Sequence, residues 1–352
     1  MKKLIVLLII VLFPIKVNAI SASSYIVMDS DSNRVLEGAN IDKESLIASI
    51  TKIMTSMVVI NNGNLDETVT IGDEVLRSFG SGIYVSVGEK IKMEELLYGL
   101  MLRSGNDAAT ALAYNVGGSM EGFASMMNEL AKSIGMKNTN FVNSSGLEDS
   151  YGENHSTVYD MALLSSYAIK NEEYRKIVGT KDITVKTDLK TYVWHNKNKL
   201  LSSYEHCTGG KTGFTEKARR TLVTNASKDN VNLTVVTFND GNDFNDHRNL
   251  YEKYFKILKA EHILVKGSIE TKYPNTYIEN DFWMSLSSEE ASKIEVNINY
   301  YDSNATNIVG EVEVKFDGKT YYKEDIIQKT EKDKEDKISF WEKLKRKFSN
   351  LW

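Results

Sequence analysis

Residues 48–63 read ASITKIMTSMVVINNG. From Ile50 to Ile60 the segment is apolar on nearly every side and stops at Asn61, Asn62 and Gly63, the pattern of a helix buried all round. One charged residue interrupts it. Lys52 follows Ser49 by three positions, so at the start of a helix the two share a face and the amine can reach the hydroxyl. An amine works as a base only when uncharged, and burial beside other cations lowers a lysine pKa. A Ser-x-x-Lys pair is more commonly a helix cap with a solvated lysine. A lysine heading an otherwise apolar helix argues against that reading.

Two further clusters come later in the chain. Ser104, Gly105 and Asn106 read S-x-N between two helical patterns, Met93 to Met101 and Ala108 to Val116, which places them in a loop. Lys211, Thr212 and Gly213 read K-T-G ahead of a β-rich run from Thr221 to Ala226. A turn over Ser227 to Asn230 and a second run from Val231 to Phe238 complete an antiparallel hairpin. Alone, each cluster is weak, and Lys-Thr-Gly is usually a turn. Together they are the set expected of serine acyl transfer.

Ser49 is the candidate nucleophile and Lys52 its base, with Lys211, if brought close, the cation that keeps Lys52 uncharged. Asn106 can hold the acyl side of a substrate, and Ser104 can pass a proton toward a leaving nitrogen. Gly213 has no side chain, so a substrate backbone could pair along Lys211, Thr212, Gly213 and Phe214 as an added strand. The backbone N–H groups of Ser49 and Phe214 are the candidate oxyanion donors.

The rest of the chain sets the context. Lys2 and Lys3, an apolar run from Leu4 to Phe13, and Val17 to Ala19 read as a secretory signal peptide over residues 1–19; Pro14 and Lys16 close the run too early for a membrane span. The chain beyond Ala19 exceeds the size at which one core keeps growing, so two domains are expected. The first covers 20–262, closed by a helix from about Asp246 to Ala260. The second, a β domain over 263–328, shows alternation at Ile294, Val296, Ile298 and Tyr300 and a hairpin turn at Asp317 and Gly318. A charged linker over 329–337 leads to residues 338–352, where Ile338, Trp341, Leu344, Phe348 and Leu351 form an apolar stripe rimmed by Lys343, Arg346 and Lys347. Such a basic amphipathic helix suits the headgroup region of a bilayer.

The net charge of -5 gives no reason to expect a nucleic-acid partner. Cys207 is the only cysteine, so no internal disulfide forms and packing must hold the fold. His206 with Cys207 supplies too few ligands for zinc, and His155 before a helix reads as a cap partner. No metal or cofactor is expected.

These clusters resemble the low-molecular-mass penicillin-binding D-alanyl-D-alanine carboxypeptidases of bacteria, and the likeness extends from the signal peptide to the C-terminal helix. Its most specific stretches are ASITKIMT (48–55), LMLRSGNDAA (100–109), HSTVYDMAL (155–163) and CTGGKTGFT (207–215); the last is similar to the branch that includes spore-cortex enzymes. The resemblance implies an α/β (α+β) β-lactamase/transpeptidase-like catalytic domain, a smaller all-β domain and a terminal amphipathic helix. It also implies a Ser49 acyl-enzyme formed from peptidoglycan stem peptides ending in D-Ala-D-Ala, acylation of Ser49 by β-lactams, and a place at the outer face of the cytoplasmic membrane or cell wall. Carried over position by position, Lys52 is the base, Ser104 and Asn106 form the second motif, and Lys211 and Thr212 the third, with Thr212 near the substrate carboxylate. Two positions depart from the pattern. Ile47 stands where proline is common, and Lys197 where some members carry an arginine; a lysine keeps the charge and loses the fork, so it stays outside the catalytic set.

A β-lactamase shares all three clusters but needs rapid deacylation, for which class A enzymes use an added glutamate; no segment between Ser104 and Lys211 matches its setting. A non-catalytic wall-binding protein of the same fold would be expected to lack a motif serine, lysine or glycine. All are present.

Overall fold

The computed structural model describes residues 20–148, 150–301 and 307–329. The expected signal peptide, the terminal helix and all but the first residue of the linker lie outside the described residues.

A central antiparallel sheet organises the first domain. Its strands are β1 (Ser24–Asp29), β2 (Val35–Ala39), β3 (Cys207–Thr215), β4 (Arg219–Lys228) and β5 (Val231–Phe238), in the order β2-β1-β5-β4-β3. Side chains alternate across a strand, so consecutive apolar residues bury on both faces. In β1, Ile26 and Met28 enter one core and Val27 the other. The first core is built by α1 (Lys52–Asn62), α2 (Met93–Arg103), α3 (Asn106–Gly117), α4 (Met120–Ser133), α5 (Val158–Ala168) and α6 (Glu172–Gly179). The second lies under α7 (Asp243–Phe255), which contributes Leu250, Tyr251 and Tyr254.

Several boundaries differ from the sequence pattern, each for a local reason. Ser49 lies in a 3-10 turn, Ala48–Thr51, immediately ahead of α1. Asn106 opens α3, so the second motif is only partly a loop. Ser104 ends α2 in the left-handed region at φ 63°, and Gly105 caps the next helix. The last helix of the domain is shifted toward the N-terminus of the expected span, because Lys259–Leu264 is already β6 and pairs with β9 (Phe282–Leu286). A hairpin of Asp182–Lys186 with Thr191–His195, which the periodicity did not signal, delivers Lys197 to the region of the motifs.

The remaining strands are β7 (Gly267–Ser268), β8 (Thr276–Ile278), β10 (Ile294–Tyr300), β11 (Ile308–Phe316) and β12 (Lys319–Gln328), a second sheet ordered β7-β8-β12-β11-β10. Asp317 and Gly318 both adopt positive φ in the tight turn between β11 and β12. This β unit has its own core of Ile278, Met284, Val312, Val314 and Ile326. It meets the first domain through polar contacts. Ser285 donates from its N–H (3.2 Å) and hydroxyl (2.8 Å) to the buried Asp29 carboxylate, and the Arg34 guanidinium pairs with Glu290 and lies 4.6 Å from the Phe316 ring centroid.

The turn carrying Ser49 is wedged between two glycines. A Cβ on Gly213 would lie 2.4 Å from Thr221 Oγ1 and 3.0 Å from Ser49 N, and one on Gly146 would lie 1.9 Å from the Ala48 carbonyl oxygen. Gly146 also has φ +77°, which a side chain disfavours. A Gly146→Ala protein should therefore lose about 2 kcal/mol of stability and melt about 4–8 °C lower. Thermal unfolding followed by circular dichroism measures this, and an unchanged midpoint would show that the turn does not need the glycine.

Candidate active site

Ser49, Lys52, Asn106 and Lys211, separated by up to 162 positions in sequence (211 − 49), converge between the Ala48–Thr51 turn, the junction of α2 and α3, and β3. β3 is the last strand of its sheet, with one edge unpaired by any other strand, and that edge runs beside the serine turn. Thr221 donates to the Ile47 carbonyl at 2.9 Å and so fastens the turn to the sheet. The space beside Gly213 is taken by the backbone of Ile47 and Ser49, which lets the strand approach the nucleophile closely. Ala48, at φ 50°, holds a left-handed conformation that costs a non-glycine residue about 1–2 kcal/mol.

The Lys52 amine is fully buried and surrounded by oxygen. It donates to Asn106 Oδ1 at 2.7 Å and to the Ser145 carbonyl at 2.6 Å, and stands 3.1 Å from Ser49 Oγ. A neutral amine has two protons and one lone pair. With both protons engaged by Asn106 and Ser145, the lone pair is left for the serine hydroxyl to donate to. Burial, and then the charges of Lys211 and Lys197, push the Lys52 amine well below the usual lysine range; Asp107 acts the other way. Asp107 is itself occupied, accepting backbone N–H bonds from Ile83 (3.0 Å), Tyr84 (2.6 Å) and Ala108 (2.9 Å), which ties the 79–85 segment to α3.

Lys211 is buried too, and donates to the carbonyl of Thr212 at 2.7 Å. Burial and the Lys197 charge bring its amine down to about 7. Ser104 and Ser49 open onto a cleft of about 310 Å³ that Lys197, Thr212, Gly213 and Phe214 also line. Cations predominate there. Lys197 donates to Ser81 Oγ at 3.2 Å, and Arg220 holds a forked pair with Asp243, Nε to Oδ2 at 3.1 Å and Nη2 to Oδ1 at 2.7 Å. The exposed Phe214 ring stands at the mouth.

Lys197, outside the catalytic set on sequence grounds, is thus the third member of a lysine cluster. The Ser145 carbonyl, the carboxylate of Asp107 and the Arg220 pair gave no motif to read. A main-chain carbonyl carries no side-chain signal, and Arg220 joins the cleft only because it pairs with Phe214 across β3 and β4. His155 bridges Asn140 and pairs with Leu46, its Nδ1 on the Glu153 carbonyl. The Cys207 thiol donates to the Gly209 carbonyl, and burial pushes it up to about 11, so it is an inert packed thiol. Among the described residues no group of three or more His, Cys, Asp or Glu side chains is placed to hold a metal ion.

The chain matches the D-alanyl-D-alanine carboxypeptidase family of peptidases over residues 13–242, and it belongs to that family. It is 34% identical over 224 residues to the D-alanyl-D-alanine carboxypeptidase DacF of Bacillus subtilis, covering 62% of this chain and 57% of the relative. It is 35% identical over 260 residues to DacC of Escherichia coli, covering 69% and 63%. The aligned stretch is thus less than two thirds of either relative's length. Among solved structures, penicillin binding protein 5 from Haemophilus influenzae superposes with a TM-score of 0.71 at 26% identity, over 88% of this chain and 96% of that one.

Burial of Lys211 has a consequence for stability. Its folded pKa of about 7 lies below the ordinary 10.5, so between those values the unfolded chain binds the extra proton and folding strengthens as pH rises. A Lys211→Met protein lacks this dependence. Its stability relative to wild type should be most favourable at or below about pH 7 and decline toward about pH 10. Denaturant unfolding at the two ends of that range measures the difference; a gap independent of pH would contradict a lysine buried in this way.

Proposed function

We propose that this protein is a serine D-alanyl-D-alanine carboxypeptidase that removes the terminal D-alanine from peptidoglycan stem peptides through a Ser49 acyl-enzyme. The observation that carries the reading is the buried Lys52 amine, 3.1 Å from Ser49 Oγ and bonded to Asn106 Oδ1 and the Ser145 carbonyl, in surroundings that push it well below the usual lysine range. As Ser49 Oγ attacks the carbonyl of the penultimate D-alanine, its proton passes to Lys52 Nζ. The oxyanion develops toward the backbone N–H groups of Ser49 and Phe214, each worth about 3 to 4 kcal/mol if aligned. Collapse breaks the peptide bond, and the proton reaches the departing amine through Ser104. Lys211 remains the neighbouring cation, while Asn106 holds both Lys52 and the acyl side. Water then attacks the ester, losing its proton to Lys52, and Ser49 is restored.

The departing residue carries a carboxylate, and the cleft beyond Ser49 supplies Thr212, Lys197 and Arg220 for it. β-Lactams, which present a similar carbonyl and carboxylate, would acylate the same oxygen. The sequence patterns at 1–19 and 338–352 support export and attachment to the outer face of the cytoplasmic membrane, which would place the site against the wall.

Replacing Ser49 with alanine should lower D-alanine release from an acyl-D-Ala-D-Ala peptide by more than about 10⁴-fold and abolish covalent penicillin labelling in mass spectrometry. Retained turnover would sink the assignment; sustained β-lactam hydrolysis by wild type would point to a lactamase instead. Lys197 should act on rate through charge. Lys197→Met removes a cation that depresses Lys52, so the acid limb of the kcat/KM profile should move to higher pH. An unmoved limb would exclude that role.

A further inference from the structure

Two buried carboxylates converge on Ser21. Asp240 follows β5, Asp246 lies in the first turn of α7, and both are almost fully buried. The Ser21 hydroxyl lies against Asp240 Oδ1 and 2.9 Å from Asp246 Oδ2, and the Ser21 N–H donates to Asp246 Oδ2 at 2.8 Å. One hydroxyl carries one proton, so it satisfies only one of these two oxygens at a time. Asn242 adds its N–H to Asp240 Oδ1 at 3.0 Å and its side-chain amide to Asp246 Oδ1 at 3.1 Å.

Among the described residues no cation answers this pair. Arg220, whose carbonyl accepts the Asp240 N–H at 3.2 Å, turns its guanidinium to Asp243. His247 is buried, pushed down to about 3, and bonded to Thr224 at 2.7 Å and to Thr237 at 3.1 Å. Asp240 Oδ2 is buried with no hydrogen bond among the described residues. Burial pushes the Asp240 carboxyl up, and the Asp246 charge adds to that. Two buried carboxylates keep both charges only where a cation joins them.

The chain can supply that cation from the residue beside Ser21. Val17 to Ala19 read as the end of a leader, and hydrolysis of the Ala19–Ile20 bond by one water leaves a carboxylate on Ala19 and an α-ammonium on Ile20. Before cleavage the same nitrogen is an uncharged amide. Consecutive backbone nitrogens are no further apart than the ~3.8 Å peptide step, so the ammonium starts within about 7 Å of Asp246 Oδ2. The Ile20 side chain packs against the second core and anchors the residue there.

We propose that Asp240 and Asp246 form a binding site for the protein's own α-ammonium at Ile20, so that removal of the leader completes the first domain. This rests on the export reading and is independent of the acyl-transfer chemistry.

The test compares two chains ending at Trp352, one beginning at Ile20 with no added residue and one carrying Gly-Ser-Gly-Ser ahead of Ile20. The chain beginning at Ile20 should melt about 2–4 °C higher. Asp240→Asn should lower the midpoint of that chain and leave the extended chain unchanged or raised. An equal change in both chains overturns the proposal, since a shared proton or a metal ion between the carboxylates would give that result. The second readout needs no variant. After reductive ¹³C-methylation, the Ile20 α-amine should titrate near about pH 9 by NMR, above the ordinary ~7.7–8.0, because the carboxylates favour its charged form; an ordinary value overturns the site. Sequencing of the exported protein should begin at Ile20, and a start elsewhere refutes this ligand. D-Alanine release is expected from both chains, so its absence would count against the carboxypeptidase reading alone.

Discussion

Two lysine amines buried within one site, with no carboxylate among the described residues hydrogen-bonded to either, are the constraint around which this molecule is arranged. A charged Lys52 ammonium in that position would be costly, and burial together with the neighbouring lysine charges pushes this amine well below the usual lysine range. Most neighbours of Lys52 serve that end. The Asn106 side chain and the Ser145 carbonyl engage its protons, Lys211 and Lys197 discourage a third, and the apolar helix behind it keeps water away. Asp107, the acidic group that acts the other way, is spent on backbone N–H groups of the adjoining segment.

Holding those amines in place requires the scaffold to be stiff where it is least comfortable. Ala48 and Ser104, on the two sides of the cluster, both adopt left-handed backbone conformations that non-glycine residues avoid. The strain at Ala48 is offset by the contacts of Gly146 and Gly213, and by Thr221 on the Ile47 carbonyl. The sheet supplies the rigid reference. β3 offers its unpaired edge at the serine, and the two cores on either face of β1, β4 and β5 keep that edge from moving. The Asp29 and Arg34 contacts continue the rigidity into the β unit.

Two cavities adjoin the cluster, one lined by Ser49 and Ser104 and the other by Asn106 and Ser145. The first is rich in cations; the second also includes Thr110 and Tyr114 of α3. Membership of the carboxypeptidase family rests on residues 13–242, the span that carries Ser49, Lys52, Asn106 and Lys211.

Local order and chemical identity were legible in the amino acids themselves. The buried helix after Ser49, the hairpin of β4 and β5, the alternating strands of the β unit and the Asp317–Gly318 turn come from periodicity and turn chemistry, which depend on neighbours in sequence. The motif serines, lysines and asparagine were readable because side-chain chemistry does not depend on the fold. Distances and protonation states were not. Lys197 reaches the cluster through a hairpin with no clear pattern, Arg220 through its register opposite Phe214, and the Ser145 carbonyl through the loop wedged beneath the serine turn. Only the tertiary structure decides such matters, because the pKa of an amine is set by what surrounds it in space, and here those surroundings come from segments more than a hundred residues apart.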